Sequence, residues 1–571
     1  MSGPRYDAAW TVLAHQAQAR ELRRRAHRYR IRGEAADRDR ASELLDAYGR
    51  LYPQVAADGW SEQAEPWMLR GKLFSQALTE ALWGTQIADA VRVLAAADPS
   101  LRGRLRDDTV DLLRGLMSTV HEARRVLVDE RGDLRSNYTA WLDCAGGMAA
   151  RALHALGEPV DAGPWLKGAF EQLAAAVGED GWEWEGATYY HLFVLRAHLL
   201  NLAGQDPREL PGDAVARLAG MVRVLTTLAT PAGLVPVLHD GPYRRDGALL
   251  ELIEVCALAR QLWTAPGVEW IEAYARRQLG DRHDGLEDLL DGWFAGPPLD
   301  EGIGTERGSV WYASTGAVVL RDPADTWQAV VDAGPHGGSH GHLDKLALYL
   351  YGADEPWQPA PGVPPYGSPL RRGHYTRTVA HPTVRIDGAD QQPCTGTVLA
   401  WEPGPPARLL VGADDAFPGA GLRRAVIMND EYLLDAVCVT VPSGAEHVVD
   451  LGLRPGGTLD IRTEPDGTWC SRWDTGGTVL HGRHVATAPS TLATVPGRGP
   501  SDDPAAVVAV ADWTATCSAT CSAVAFVSVY WPGDPGAVHR IELISTDQTG
   551  PARLRVEHGS GRIDEHTLED T

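Results

Sequence analysis

The sequence has little lysine and no excess of positive charge. Only three of its 53 basic residues are lysine (Lys72, Lys167 and Lys345), and the other 50 are arginine. With 76 acidic residues, the formal net charge of the 571-residue chain is −23. A protein that binds nucleic acid or another long polyanion through a broad basic face has the opposite balance. The composition therefore excludes nucleic acid as a partner, and an anionic ligand must meet a local cluster of positive residues.

Long apolar runs, a secretory signal and paired cysteines are also absent. No uninterrupted apolar stretch reaches about 18 residues, so no membrane span is expected. The first 40 residues are charged and helix-like, without the apolar core of a signal peptide, and we therefore expect a cytoplasmic protein. The seven cysteines form no CxxC pair, which is typical of a reducing compartment.

The remaining composition is that of a globular protein. Hydrophobic residues make up 44 % and charged residues 23 % of the chain, which excludes the disordered, collagen-like and coiled-coil classes. Single hydrophobic cores stop growing beyond roughly 250–300 residues. A chain of this length is therefore expected to form two or three domains.

Hydrophobic periodicity divides the chain into a helical half and a β-rich half. Up to about residue 295, apolar residues recur at three- and four-residue spacing, which predicts helices. After FAGPPLDEGIG (294–304), short alternating runs between Gly, Pro and Asp turns predict strands from Ser309 onward. We therefore predict an α+β multidomain protein, with a helical domain at 1–300 and an antiparallel β domain at 301–571.

The densest cluster of polar side chains lies in VVDAGPHGGSHGHLDKLALYLYG (330–352). It contains His336, His340, His342 and Asp344, beside four glycines and between two strand-like runs. In an extended segment, residues 340, 342 and 344 would point to one face. An HxH pair can bind a metal in strand geometry, and a solvated loop is the alternative interpretation.

A second cluster, DGWEWEGATYYHLF (180–193), opens a predicted helix. It contains Glu185, Tyr190 and His191, and an aromatic stripe buried in a core would give the same pattern. In a third cluster, RSNYTAWLDCAG (135–146), Asn137 and Tyr138 precede a helix, where a plain N-cap is the alternative.

A fourth cluster, LVPVLHDGPYRRD (234–246), is a polar interruption between helices. It contains His239, Asp240, Arg244 and Arg245. Guanidinium groups pair bidentately with carboxylate or sulfate, although most single arginines in a chain with 50 of them are solvated surface charges.

These four clusters, in this order and followed by the β-rich half, resemble the heparinase II/III family of polysaccharide lyases. The resemblance covers most of the chain. It rests on NY at 137–138, where the family usually has Asn-His, on EGATYYH at 185–191 and on HGHLD at 340–344. PWQPAPGVPPYG (356–367) and AHPTVRIDGADQ (380–391) complete it. The family implies an N-terminal incomplete (α/α) toroid packed on a C-terminal antiparallel β-sandwich, with the substrate cleft between them.

The family also implies β-elimination next to a uronic acid. The C5 hydrogen of a uronate is very weakly acidic, so the site must neutralise the C6 carboxylate, supply a base at C5 and supply an acid at O4. By resemblance, Asn137 binds the carboxylate, and Tyr190 protonates the leaving oxygen and is the base for one uronate epimer. His340 is then the base for the other epimer or binds the carboxylate. From its position in the sequence, His239 is expected to assist.

The resemblance and the residue types also imply a set of substrate contacts. Tyr366 in PPYG occupies the place of a family tyrosine that approaches the substrate, and Arg371 follows it in LRRGHYTRT with Arg372 and Arg377. The predicted substrate-binding residues are Tyr138, Glu185, His191, Arg244, Tyr366 and Arg371.

A metal site is the uncertain part of the resemblance. The family often holds a structural zinc with the second His of HGH, an Asp before Pro-Gly and the His of the later strand. Here His342 and His381 stand at two of these places, whereas Ala360 replaces the Asp. Because zinc sites normally have at least three protein ligands, either Asp344 or Glu355 substitutes or the two histidines only form hydrogen bonds. No organic cofactor is expected.

The sequence therefore predicts a carbon-oxygen lyase that acts on acidic oligo- or polysaccharides and yields unsaturated uronates. Glycosaminoglycans such as heparan sulfate, hyaluronan or chondroitin are the first expected substrates, and alginate or another polyuronate is the second. A metal-assisted glycoside hydrolase and a non-catalytic glycan-binding protein are the alternatives. The oligomeric state stays open, a homo-oligomer included.

Overall fold

The computed structural model describes residues 3–55, 69–241, 245–280, 307–519, 522–544 and 553–567. Within these ranges a helical N-terminal part is followed by antiparallel sheets. The predicted fold class is confirmed. The predicted boundary near residue 300 lies outside the described residues and stays a prediction.

The described N-terminal ranges contain eleven α-helices. They are α1 (Pro4–Arg32), α2 (Ala35–Gln54), α3 (Ala77–Ala97), α4 (Leu101–Arg104), α5 (Arg106–Arg125), α6 (Asn137–Ala155), α7 (Gly163–Ala176), α8 (Thr188–Leu202), α9 (Gly212–Leu228), α10 (Arg245–Leu262) and α11 (Val268–Leu279). Of the helices in these ranges, none combines the length and the apolar character that crossing a membrane would require.

The helix α6 lies at the centre of the helical part. It packs on α3, α5, α7 and α8, and all but a few of its residues are buried. Such a helix is apolar on every side because helices cover each of its faces. The Ser136 side chain caps it by accepting a hydrogen bond from the Tyr138 amide, so the start of the helix is fixed.

The C-terminal ranges contain nineteen β-strands in four antiparallel sheets. The strands are β1 (Val310–Tyr312), β2 (Ala317–Arg321), β3 (Gln328–Asp332), β4 (Leu348–Tyr351), β5 (Val384–Ile386), β6 (Thr397–Glu402), β7 (Ala407–Phe417), β8 (Ala420–Met428), β9 (Leu433–Thr440), β10 (His447–Leu453), β11 (Thr458–Thr463), β12 (Trp469–Asp474), β13 (Leu480–Ala486), β14 (Ser490–Arg498), β15 (Val507–Cys517), β16 (Ala523–Pro532), β17 (Val538–Ile544), β18 (Arg553–His558) and β19 (Ile563–Thr567).

Two of the sheets form a sandwich. The eight-stranded sheet has the order β11-β12-β13-β16-β9-β8-β7-β6, and the four-stranded sheet has the order β14-β15-β10-β5. Aromatic side chains interdigitate between them. The ring of Trp513 on β15 lies 4.9 Å from that of Phe526 on β16 and 5.8 Å from that of Trp469 on β12. The inward faces of both sheets therefore share one core.

The small sheet β1-β2-β3-β4 joins the sandwich to the helices. Val318 and Leu320 on β2 pack into the sandwich core, whereas Val319 between them packs with Trp182 from the helical part. Because both faces of this sheet are buried, its strands are continuous apolar runs rather than alternating ones. Polar contacts add to this interface, since the Gln328 side chain donates to the Leu228 carbonyl at 2.8 Å.

A buried ion pair connects β8 to the loops that carry the polar motifs. Arg424 donates to both carboxylate oxygens of Asp435 at 2.7 Å, and both side chains are 2 % exposed. Its remaining nitrogen donates to the carbonyls of Leu346 and Pro382. One guanidinium therefore holds the segment after HGHLD and the segment after Ala380 in place.

We predict that Arg424→Ala lowers the free energy of unfolding by about 3–5 kcal/mol, because it leaves the Asp435 carboxylate buried without its partner. Denaturant unfolding measures this change. The matched control is Arg423→Ala on the opposite face of β8, where the arginine pairs with the exposed Asp414 and a loss of at most about 1 kcal/mol is expected. Equal losses in the two variants would contradict the role assigned to Arg424.

Candidate active site

The polar motifs of the two halves meet where helical and β parts pack together. The start of α8 is tied to the LHDG turn by a pair of hydrogen bonds between Thr188 and Leu238, at 3.1 and 3.2 Å. The next residues of that turn reach the HGH loop, because the Asp240 amide donates to the His340 carbonyl at 3.1 Å. Three segments that are distant in sequence thus converge on one site.

Tyr190 and His340 form the centre of this site. Their rings stack with centroids 3.6 Å apart and an interplanar angle of 13°. The Tyr190 hydroxyl forms a hydrogen bond with the hydroxyl of Tyr366, which is 45 % exposed. Burial raises the pKa of Tyr190 above its usual value, so its phenol stays protonated. The site therefore presents a neutral phenol beside an imidazole.

Glu185 orients the imidazole of His340. Its Oε1 lies 2.7 Å from His340 Nδ1, and a carboxylate only accepts, so Nδ1 carries the proton. Within the described residues, His340 Nε2 has no hydrogen-bond partner and retains its lone pair. Glu185 is 4 % exposed and its observed contact is with His340, so its contact with substrate stays a prediction.

Glycines allow the His340 loop to approach the helical part. A Cβ on Gly337, which has φ +82°, would lie 2.3 Å from the Glu185 carbonyl oxygen. A Cβ on Gly341 would lie 1.4 Å from the His336 carbonyl oxygen. Larger residues would push the loop away from Glu185, so the glycines of HGGSHG are needed for this contact.

Asp240 connects the site to the segments that follow it. The residue is fully buried, and its Oδ1 accepts a hydrogen bond from His342 Nε2 at 3.0 Å. Its Oδ2 accepts from Arg371 at 2.5 Å and from the Tyr366 hydroxyl at 3.1 Å. These donors hold the pKa of Asp240 below its usual value although burial alone would raise it. One carboxylate therefore fixes a histidine, an arginine and a tyrosine.

Asn137 and Tyr138 stand at the start of α6. The Asn137 side chain is 4 % exposed, and among the described residues its amide makes no hydrogen bond. The buried Oδ1 of Asn137 has no partner, which is unusual, and its Nδ2 forms no hydrogen bond among the described residues and is a donor that a ligand can use. Tyr138 accepts a hydrogen bond from the Gln76 side chain, and burial raises its pKa to about 12.

His239 lies beneath the site rather than in it. Its Nε2 lies 2.8 Å from Asp332 and 3.6 Å from Asp344, and the residue is 5 % exposed. Burial alone would lower its pKa, but the two carboxylates outweigh it and raise the pKa to about 9. Lys345 pairs with the same carboxylates. The charge of His239 is therefore neutralised within this network, and its assistance in the reaction stays a prediction.

His191 is also a core residue. It is fully buried, accepts from the Glu183 amide at 3.3 Å and donates to the Met221 carbonyl at 2.8 Å. Burial lowers its pKa to about 4. Both ring nitrogens are engaged by backbone groups, and substrate binding by His191 stays a prediction.

The predicted arginine cluster is only partly present. Arg244 lies outside the described residues. Arg371 is buried against Asp240, with its guanidinium 4.5 Å from the Tyr366 ring centre. Arg377 pairs with Asp390. These arginines are therefore engaged by the protein's own groups.

His342 and His381 converge on Asp344, which is one of the two substitutes considered for the third ligand. One donor atom of each of the three buried residues lies within 4.8 Å of the others. Glu355 instead accepts from the Thr478 amide at 3.1 Å, and Ala360 has no ligand atom. The donor set of two imidazoles and one carboxylate is one that zinc prefers.

The hydrogen bonds of the two histidines also fit a metal. His342 Nε2 donates to Asp240, and its buried Nδ1 has no partner among the described residues. His381 Nε2 donates to the Tyr375 carbonyl at 3.0 Å, so its Nδ1, 3.7 Å from Asp344, is an acceptor, and it lies 3.0 Å from the Tyr349 hydroxyl. Burial lowers the pKa of His381 to about 3, so its ring is neutral. Orienting partners of this kind are typical of metal-binding histidines.

A protein-family model described as heparinase II/III-like, C-terminal, matches residues 304–436. This segment is a heparinase II/III-like C-terminal domain. It contains the HGH loop, the PPYG segment and the His381 strand, so the resemblance stated from these motifs is confirmed there. No curated protein matches the chain.

Solved structures share the fold of the whole chain, the heparinase II/III-like domain included. A heparinase III gene product superposes with a TM-score of 0.69 at 15 % identity, over 96 % of this chain and 82 % of that one. A mutant of the heparan sulfate lyase HepC from Pedobacter heparinus gives 0.67 at 15 % identity, over 96 % and 82 %. A xanthan lyase from Paenibacillus gives 0.54 at 10 % identity, over 98 % and 58 %. At these identities the likeness shows a common fold.

The His340 ring of the heparinase II/III-like domain is predicted to carry its proton on Nδ1 when it is neutral, because Glu185 accepts from that atom. Most neutral histidines favour Nε2–H, so ¹⁵N NMR of the ring nitrogens distinguishes the two forms. Glu185→Leu is expected to lose the Nδ1–H form and Glu185→Gln, which keeps an acceptor, to retain it. An Nε2–H ring in the unsubstituted protein would show that Glu185 does not orient His340.

Proposed function

We propose that the protein is a lyase that cleaves uronate-containing oligo- or polysaccharides by β-elimination. The observation that carries this proposal is the stack of the neutral Tyr190 phenol on the Glu185-oriented imidazole of His340. Asn137, the first residue of α6, has a side-chain amide that forms no hydrogen bond among the described residues. The heparinase II/III-like domain supports the proposal, as does the fold shared with a heparan sulfate lyase and a xanthan lyase.

Each requirement of the elimination has a residue in this site. The Asn137 amide donates to the C6 carboxylate of the uronate and favours the charge that develops there. His340 Nε2 holds a lone pair and takes the C5 proton. The electrons of the C5–H bond form the C4–C5 double bond, the C4–O4 bond breaks, and the Tyr190 phenol protonates O4. The products are an unsaturated uronate and a free hydroxyl end.

Hydrogen bonds fix the direction of the Tyr190 phenol. Asp240 accepts the proton of the Tyr366 hydroxyl, so the Tyr366 oxygen accepts from Tyr190 in the resting site. Asp240 thereby determines the orientation of two tyrosines without contacting substrate. It acts as a positioning residue in this proposal.

The stack also supports a choice of uronate epimer. Rings with centroids 3.6 Å apart leave no room for a sugar between them, so base and acid approach the substrate from the same side. Removal of the C5 hydrogen and protonation of O4 from one side is a syn elimination. It requires a uronate whose C5–H and C4–O bonds are cis, as in glucuronate and mannuronate, rather than trans, as in iduronate and guluronate.

Tyr190→Phe is expected to lower kcat by about 10²–10⁴-fold on a glucuronate-containing glycan, because it removes the general acid, and to leave substrate binding nearly unchanged. The ultraviolet absorbance of the unsaturated product measures turnover across a panel of uronate glycans. Tyr189→Phe is the matched control, since its ring packs on Phe193 and its hydroxyl faces Glu251. A hydrolase would release no absorbing product, and full activity of Tyr190→Phe would contradict the role of Tyr190 as the general acid. Binding of the glycans without any turnover in the unsubstituted protein would leave only a binding function.

We also propose that His342, Asp344 and His381 hold a divalent, zinc-like ion with a structural role. Such an ion supplies charge that fixes the loop between His336 and Asp344, next to the catalytic His340. A second group consists of Glu431, His558 and Asp564. Arg562 forms hydrogen bonds to all three, so its guanidinium supplies the positive charge that a metal ion would supply.

The metal proposal predicts about one equivalent of zinc per chain after dialysis, measured by elemental analysis and by calorimetric titration. Asp344→Asn and His381→Ala are expected to lose at least about tenfold in zinc affinity, because each substitution leaves only two of the three strong ligands in place. Asp564→Asn in the arginine-containing group is the control and is expected to keep it. Retention of zinc by His381→Ala would contradict this ligand set.

A further inference from the structure

Arg135 and Trp184 form a feature that the reaction described above does not use. The Arg135 guanidinium lies 4.0 Å from the centre of the Trp184 ring. The indole nitrogen of Trp184 donates to the Arg135 carbonyl at 3.1 Å, so the two residues are held together at both backbone and side chain. Arg135 is exposed, whereas the indole is half-buried.

The charge of Arg135 is available to a ligand. Among the residues that the structure describes, its guanidinium forms no hydrogen bond and no ion pair, and its contact is with the indole face. Arg371 and Arg377 are instead bound to Asp240 and Asp390. Stacking fixes the plane of the guanidinium and leaves its N–H edges free, which suits a bidentate bond to a planar or tetrahedral anion.

The pair lies at the rim of the candidate active site. Arg135 precedes Asn137 by two residues, and Trp184 precedes Glu185, which bonds His340. On the other side of the site, a Cβ on Gly338 would be 3.0 Å from the Trp184 ring. The indole therefore touches the same loop that carries His340, and the guanidinium stands just outside it.

We propose that Arg135, supported by Trp184, forms an anion subsite for a carboxylate or sulfate on a sugar next to the one that is cleaved. This subsite rests on the proposed function, because it assumes a glycan in the adjacent site. In a chain with a net charge of −23, an unpaired arginine at the rim provides a local attraction for an anion.

Binding to a catalytically blocked protein tests the subsite separately from the reaction. In the Tyr190→Phe background, calorimetry measures the affinity for a glucuronate tetrasaccharide, its O-sulfated form and its carboxyl-reduced form. Adding Arg135→Ala is expected to weaken binding of the anion that occupies the subsite by about tenfold. A loss with the unsulfated form identifies a carboxylate, and a loss confined to the sulfated form identifies a sulfate. Trp184→Leu is expected to give a smaller loss of the same kind.

The control is Arg277→Ala, which removes an exposed arginine stacked on Tyr274 at 5.9 Å. It is expected to leave all three affinities unchanged. Equal weakening of the carboxyl-reduced form by Arg135→Ala, or unchanged affinity for both charged forms, would overturn the subsite. If binding depends on Arg135 but the protein without any substitution shows no lyase activity, the subsite is retained and the proposed reaction is overturned.

Discussion

The carboxylate of Asp240 is the interaction on which the rest of the site depends. It is buried, and it receives hydrogen bonds from His342 in the HGH loop and from Tyr366 and Arg371 in the segment between β4 and β5. Each donor compensates part of the cost of burying the charge, and none of them satisfies it alone. The helical half thus contributes a buried anion around which these segments of the other half are arranged.

Much of the fold was predictable because periodicity reports which faces are buried. The change from helical spacing to alternation separates the described helices, which end at Leu279, from the strands, which begin at Val310, and the motifs identify the family of the C-terminal segment. The pairing of Tyr190 with His340 follows from motifs that the family shares. Composition and order along the chain are enough for these features.

The partners of each polar residue could not be predicted in the same way. His191 and His239 stand in motifs beside reactive positions, yet one is bonded on both nitrogens in the core and the other lies between two carboxylates. Which face of a helix or turn is buried depends on contacts across about 100 residues of sequence. Asp240 and Arg135 were overlooked or left without a role because an isolated Asp or Arg carries no signal until its neighbours are known.

The buried charges below the site act on Asp344, the carboxylate of the proposed metal group. His239 and Lys345 lie on one side of Asp344 and Asp332, and they hold the pKa of Asp344 well below its usual value although burial alone would raise it. Asp344 is therefore an ionised carboxylate that lies beside His342 and His381. A cation there would share the carboxylate with two positive groups, which weakens its binding relative to a site whose carboxylate serves the metal alone. With Ala360 in place of the expected aspartate, the proposed ligand set thus depends on a carboxylate that already has structural partners, and this competition limits how far a bound ion would stabilise the loop of His340.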